Sequence, residues 1–546
     1  MARKQQPSIK TTGDEQKVHP VRRLGRTLVA LILLTMLAAP AERGLAQERY
    51  DVIIRNGRVL DGSGNPWRRA DVALRGDRIA AVGALSNAQA NREIDAAGLY
   101  VAPGFIDSHS HAAGRLASPE ESDGQSLLAQ GVTTVLVNPD GGGPVDLAGQ
   151  REALLEHGLG VNVAQLVPHG SVRGTVLGMA DRLATEQELA QMKDLVRRGM
   201  EDGAFGLSSG PFYAPGSYSD TRELVELAKV AAAYGGAYTS HIRDESNYTI
   251  GLVAAVDEVI QIAREADLPS VVTHVKALGP PVWGFSQAVV HRIERARAEG
   301  LQVYADQYPY LASSTGLGSA LLPRWAQAGG RDSLLARFDD PETMAEIRAA
   351  MVENLARRGG AARILFRDFP SDSTVQGRTL AEVADAWNLH PLDAALALFR
   401  KGWPSIISFN MNEQDVHTFM VQPWTMTSSD GGSRGFPHPR TFGAFPRKIR
   451  HYVVEKQVVD LAAAIRSMTS LPAQVFQIPD RGVIQPGAYA DVVVFDLDRL
   501  RDRATFTEPT HLSEGMVHLF VNGEAAIDEG AFTKRMAGRV LRRGPQ

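Results

Sequence analysis

Two histidines one residue apart, His109 and His111, close the stretch Pro103-Gly-Phe-Ile-Asp-Ser-His-Ser-His111. In an extended strand alternate residues share a face, so both imidazoles point the same way and Ser108 and Ser110 turn from them. Two imidazoles at a strand's end can hold one metal ion; a pair of polar histidines satisfied at a loop mouth is the alternative. The flanks favour the metal. Gly104 allows close backbone approach, Phe105-Ile106 is apolar, and Asp107 can orient a ligand histidine from behind. Further ligand types follow short apolar runs downstream: Asp140 in Asn138-Pro-Asp-Gly, His241 in Ser240-His-Ile-Arg-Asp-Glu245, His274 in Val272-Thr-His-Val-Lys276, and Asp430 in Ser428-Ser-Asp-Gly431. Chance seldom distributes the chain's 14 histidines in this way, so a metal site is expected. With no cysteine present, disulfides are excluded and any metal must sit among nitrogen and oxygen ligands.

Strands must carry these residues to one place. Candidate strands at 101–109, 131–138, 161–168, 204–208, 237–241, 270–275, 302–306 and 425–429 alternate with helical patterns. That alternation predicts an α/β fold, a (β/α)8 TIM barrel over 103–470 with its site at the C-terminal strand ends. Residues of about 318–400 read as a helical insertion near the rim. Turn residues between short strands over 47–102, with Asn56-Gly57 among them, predict a small antiparallel sheet, and 471–546 carries matching strand-like runs at 487–495 and 517–523. Both chain ends are therefore expected to build one small β-sandwich domain.

The whole chain has 44% hydrophobic residues and a net charge of −4, and its body has no basic run, which argues against nucleic acid as a partner. Residues 1–46 differ: eight Lys or Arg stand against three Asp or Glu, and Arg22, Arg23 and Arg26 precede the apolar run from Leu28 to Ala39. That is the pattern of a signal peptide cleaved near Ala46, which implies a periplasmic or secreted protein with no membrane role once the leader is removed. The run is shorter than the ~20 residues that span a bilayer; an uncleaved anchor is the alternative.

The segments GFIDSHSH, Gly131-Val-Thr-Thr134, His169-Gly170 with Arg173, Gly203-Ala-Phe-Gly-Leu-Ser208, Tyr238-Thr-Ser-His-Ile-Arg-Asp-Glu245 and Pro437-His-Pro-Arg440 together resemble the amidohydrolase superfamily. Within it, they are most similar to the N-acyl-D-amino-acid deacylases, or D-aminoacylases. The resemblance implies one or two zinc ions per chain. His109, His111 and Asp430 would surround the weaker site, and His241 and His274 the tighter one. Asp140 stands where the family keeps a bridging cysteine; it is either a carboxylate bridge or the cap of the next helix. Asp430 is implied as general base as well as ligand, while Lys276, Tyr308, Ser314 and Arg440 would grip a substrate carboxylate. Structural pairing of Lys276 and Arg440 with Asp244, Glu245 or Asp306 is the competing reading, and Arg243 and Glu245 are expected to buttress the site. The implied substrate is a small N-acyl amino acid with a free carboxylate. Hydrolysis of cyclic amides, imides, lactones or D-containing dipeptides, and a non-catalytic periplasmic binding role, are the rivals.

Overall fold

Short apolar runs become strands buried on both faces. The computed structural model describes residues 49–432 and 435–544, so the leader expected over 1–46 lies outside it. Eight parallel runs follow one another: β1 (Phe105–Asp107), β2 (Val132–Val137), β3 (Asn162–Gln165, resuming at Val167–Pro168), β4 (Gly206–Ser209), β5 (Ala237–Ser240), β6 (Ser270–Val272), β7 (Val303–Gln307) and β8 (Thr425–Thr427). Each pairs with the next up to β7, and β8 then pairs with β7, always in parallel. Beyond the strand ends, the Asp430 N–H donates to the His109 carbonyl at 2.9 Å, and the His111 N–H donates to the Gly431 carbonyl at 2.7 Å. These bonds tie the continuation of β8 to that of β1.

Helices cover the outer faces, which is why β2 is buried along its whole length. Glu186–Glu201 shows how such a helix forms. Thr185 and Glu188 cap it reciprocally, and Leu189, Met192, Val196 and Met200 recur at helical spacing to make one buried stripe.

The run expected as one strand over 101–109 is two. Tyr100–Pro103 belongs to a nine-stranded sheet, and the chain breaks at Gly104 before entering β1. A side chain at Gly104 would press into Thr133, its Cβ falling 2.2 Å from the threonine Oγ1. That sheet joins both ends of the chain, Val492–Phe495 pairing antiparallel with Tyr100–Pro103. It is mixed where an antiparallel sheet was expected: Arg49–Val59 pairs in parallel with Gln89–Asp95 and with Tyr100–Pro103. Asn56-Gly57, read as a turn, lies inside Arg49–Val59 at a register shift, with Asn56 left-handed at φ 61°. The boundary expected at 471 falls within the core around the parallel strands, where Leu471, Val475 and Phe476 are buried.

Between β7 and β8 the insertion has its own core of Leu334, Ile347, Phe366 and Leu398. It holds a feature the helical reading lacked, an antiparallel trio of Ser313–Gly316, Ser405–Ser408 and Ile364–Asp368.

Lys448 secures the end of β8. Its Nζ donates to Thr427 Oγ1 at 2.8 Å and Ser467 Oγ at 2.9 Å, and burial pushes the ammonium down to about 7. Unfolded, a lysine keeps its proton to about pH 10.4. Between those values the unfolded chain holds more protons, so this group makes stability rise with pH there. In Lys448→Met the two hydroxyls keep their mutual 2.8 Å bond. The variant is expected to be more stable by about 1–3 kcal/mol below pH 7, with a flatter rise above it. Thermal unfolding at a series of pH values checks this; parallel curves would refute it.

Candidate active site

Four of the expected ligands converge on one carboxylate. Asp140 Oδ1 lies 3.4 Å from His109 Nε2, 3.3 Å from His274 Nε2 and 3.9 Å from His241 Nδ1, while Oδ2 lies 3.4 Å from His111 Nε2. Asp430 Oδ1 completes the cluster, 3.6 Å from His109 Nε2 and 3.2 Å from His111 Nε2. The donor atoms form two groups, His109–His111–Asp140–Asp430 and Asp140–His241–His274, with Asp140 common to both.

Local backbone explains the convergence. Asp140, His274 and Asp430 all sit at positive φ, at 56°, 35° and 49°. Non-glycine residues avoid that region, and such strain clusters at functional sites. Behind Asp140, Gly141 at φ +70° packs so closely on the next strands' loops that a Cβ would lie 2.9 Å from the Gly170 nitrogen. The capping alternative for Asp140 fails, because Asp146 caps the following helix by accepting from the Gly149 N–H at 3.0 Å.

Carboxylates outside the cluster hold the strand ends. Asp107 does not touch an imidazole, contrary to expectation. Its Oδ1 accepts from the backbone N–H groups of His109 (3.3 Å) and Ser429 (2.9 Å), so it ties β1 to the loop that carries Asp430. Burial pushes its carboxyl up to about 6. Asp306 does the same between β6 and β8, accepting from the His274 N–H at 2.9 Å and Ser428 Oγ at 2.6 Å. Glu245 stands behind both histidines of the second group, 3.1 Å from His274 Nδ1 and 3.7 Å from His241 Nε2. This is the buttressing role expected of it, and it fixes which ring nitrogen faces the cluster. Arg243 turns away to pair with Glu258 at 2.8 Å.

The charges are those of a cation site. Burial alone would raise the carboxyl of Asp140, but His109 and His274 hold it well below the usual range. Burial acts likewise on Asp430, and the Arg440 guanidinium overrides it. Burial pushes His241 down to about 3, leaving a neutral imidazole with its lone pair free. Both ring nitrogens of His109 and of His241, and Asp140 Oδ1, are buried with no hydrogen-bond partner among the described residues. Buried polar atoms in native structures normally have partners. Orphaned imidazole nitrogens facing shared carboxylates therefore fit one or two divalent cations.

His111, Asp140, His241, His274 and Asp430 line a cavity of about 680 Å³, which Lys276, Tyr308, Ser314 and Arg440 also line. Both cations are already paired, Lys276 with a carboxylate the competing reading named and Arg440 with one it did not. Lys276 Nζ bonds Glu245 and approaches His274 Nδ1 at 2.7 Å; Arg440 Nη1 lies 2.9 Å from Asp430 Oδ2. Arg440 also stacks over the Tyr308 ring at 4.5 Å. Its Nε has no hydrogen-bond partner among the described residues, which leaves it free for a ligand.

Sequence reasoning missed Tyr213, whose ring sits 4.5 Å from that of His241, and Phe212 beside it at 5.0 Å. An aromatic pair just after a candidate strand was the available signal. It also missed Arg358 and Arg367, which reach the cavity from the insertion and carry no spacing signal.

Comparison with known proteins agrees with this geometry. The profile of the amidohydrolase family matches residues 92–527. An N-acyl-D-glutamate deacylase of Alcaligenes xylosoxydans xylosoxydans is 37% identical over 521 residues, 91% of this chain and 97% of that one. A solved D-aminoacylase with a binuclear metal centre superposes with a TM-score of 0.78 at 34% identity, covering 90% of this chain and 100% of the other. The N-acyl-D-glutamate deacylase of Bordetella bronchiseptica, solved with zinc and a phosphonate mimic of the tetrahedral intermediate, gives 0.78 at 35% identity over 91% and 100%.

Proposed function

The chain belongs to the amidohydrolase family, and from that premise we propose that it hydrolyses the amide bond of N-acyl-D-amino acids with zinc. The observation that carries the reading is the double ligand group sharing Asp140. His109, His111, Asp430 and Asp140 would hold one ion, and His241, His274 and Asp140 the other. When bound, the metal supplies a water acidic enough to attack near neutral pH and a positive charge for the carbonyl oxygen.

The protein's own groups do the rest. Asp430, ionised and anchored by Arg440, accepts the proton of the attacking water and passes it to the departing nitrogen. Glu245 orients the histidines of the second group from behind. Arg440, Tyr308, Ser314 and Lys276 are the groups that would grip the substrate's α-carboxylate. We read the ring of parallel strands as a (β/α)8 barrel, with a small β-sandwich from both chain ends. We also read the protein as exported, acting in the periplasm or outside the cell.

The test is metal analysis together with hydrolysis of a panel of N-acyl-D- and N-acyl-L-amino acids. Zinc with cleavage of the D-series, abolished by a chelator, is expected. Full activity in metal-free protein, or turnover confined to cyclic amides or lactones, would overturn the reading.

Arg440 permits a finer check. Its guanidinium serves Asp430 as well as a substrate carboxylate, so Arg440→Ala is expected to slow every substrate. The carboxylate's share is the excess. A lost charge-assisted hydrogen bond lowers kcat/KM by about 10- to 150-fold, and that is the extra loss expected on the free acid relative to its methyl ester. Equal losses would confine Arg440 to holding Asp430.

A further inference from the structure

We propose that Arg367, brought into the cavity by the insertion, binds a second carboxylate and directs the enzyme to N-acyl derivatives of acidic amino acids. This inference rests on the deacylase reading above. Arg367 lies on Ile364–Asp368, is 9% exposed, and lines the same cavity as Asp430 and Arg440. Its Nε and Nη1 are buried without a hydrogen-bond partner, and it makes no ion pair among the described residues.

The other cations of the cavity each have a partner within the protein. Lys276 bonds Glu245, Arg440 pairs with Asp430, and Arg358 Nε donates to Tyr248 Oη at 2.7 Å. Asp368, next in sequence, accepts from Gln376 at 3.3 Å instead. Burial, and then the neighbouring Arg440 guanidinium, push Arg367 down to about 10 against the weaker pull of Asp368 and Asp430, so it stays charged at neutral pH with no ion pair among the described residues. A buried charge without a partner is costly, and a planar guanidinium fork is matched by a carboxylate. The α-carboxylate has its own set in Arg440, Tyr308, Ser314 and Lys276. The anion left for Arg367 is one on the substrate's side chain, as in an N-acyl glutamate or aspartate.

The experiment compares kcat/KM for N-acetyl-D-glutamate and its neutral isostere N-acetyl-D-glutamine, in zinc-loaded wild type, Arg367→Gln and Arg367→Lys. Wild type is expected to prefer the acid. In Arg367→Gln the acid-to-amide ratio is expected to fall by about 10- to 150-fold, with partial recovery in Arg367→Lys. An unchanged ratio, or wild type that turns over both alike, overturns the inference while leaving the deacylase reading intact. Turnover of neither by metal-replete wild type overturns the deacylase reading itself. Should Arg367→Gln not fold, thermal stabilisation of wild type decides: D-glutamate must stabilise more than D-glutamine, and equal shifts refute the assignment.

Discussion

Asp430→Asn is expected to lower kcat by roughly 10²- to 10⁴-fold on an N-acyl-D-amino acid, the range for losing a positioned general base. The amide keeps the shape of the carboxylate and can still turn its oxygen toward Arg440, so the pocket and the Asp430 N–H bond to the His109 carbonyl survive. What disappears is the negative charge that Arg440 and the histidines hold ionised. Asp430 is also a ligand of the first group, so the assay must run at saturating zinc, and metal content must be measured alongside. A variant with wild-type kcat at full occupancy would mean that the proton goes elsewhere, and the mechanism above would fall.

The second large effect is expected at Asp140, whose carboxylate is the only one the two ligand groups share. Asp140→Ala should bring metal content from two ions per chain to nearer one and depress activity with it. Its side chain bonds no backbone group in the cap of the following helix, so the fold should persist. At φ 56° alanine itself carries a backbone penalty of about 1–2 kcal/mol. Asp140→Asn separates the two effects, since asparagine tolerates the left-handed region while lacking the charge. Elemental analysis of both variants decides. Two ions and normal turnover in Asp140→Asn would show that the carboxylate is no bridge.

Much of this site was legible because its ligands follow apolar runs. A strand buried on both faces leaves a compact signature, and His109, His241, His274 and Asp430 each come within three residues of the end of one. The misreadings share a cause, which is that they depend on partners remote in sequence. Asp107 has Ser429 as its partner, and no local pattern announces that pairing. Gly104 splits a single apolar run because Thr133 packs against it. The strand Ile364–Asp368 is short and flanked by helices, and its strand partner, Ser405–Ser408, follows only after two intervening helices. Arg367 could not be singled out for the same reason: an arginine without a counter-ion is recognisable only when its surroundings are known.

The bonds that join His109 to Asp430 and His111 to Gly431 also set an order of assembly. Asp140, His241 and His274 are all present once the chain has emerged as far as β6, whereas the first group waits for Asp430. Joining the first strand to the last also makes this contact the most distant in sequence of the site, the kind that slows folding. Thermodynamically the difference is slight, because each doubling of a closed loop costs only about 0.6 kcal/mol. The asymmetry is therefore one of chain order: the group of Asp140, His241 and His274 is complete by β6, and the group beside the general base only at Asp430.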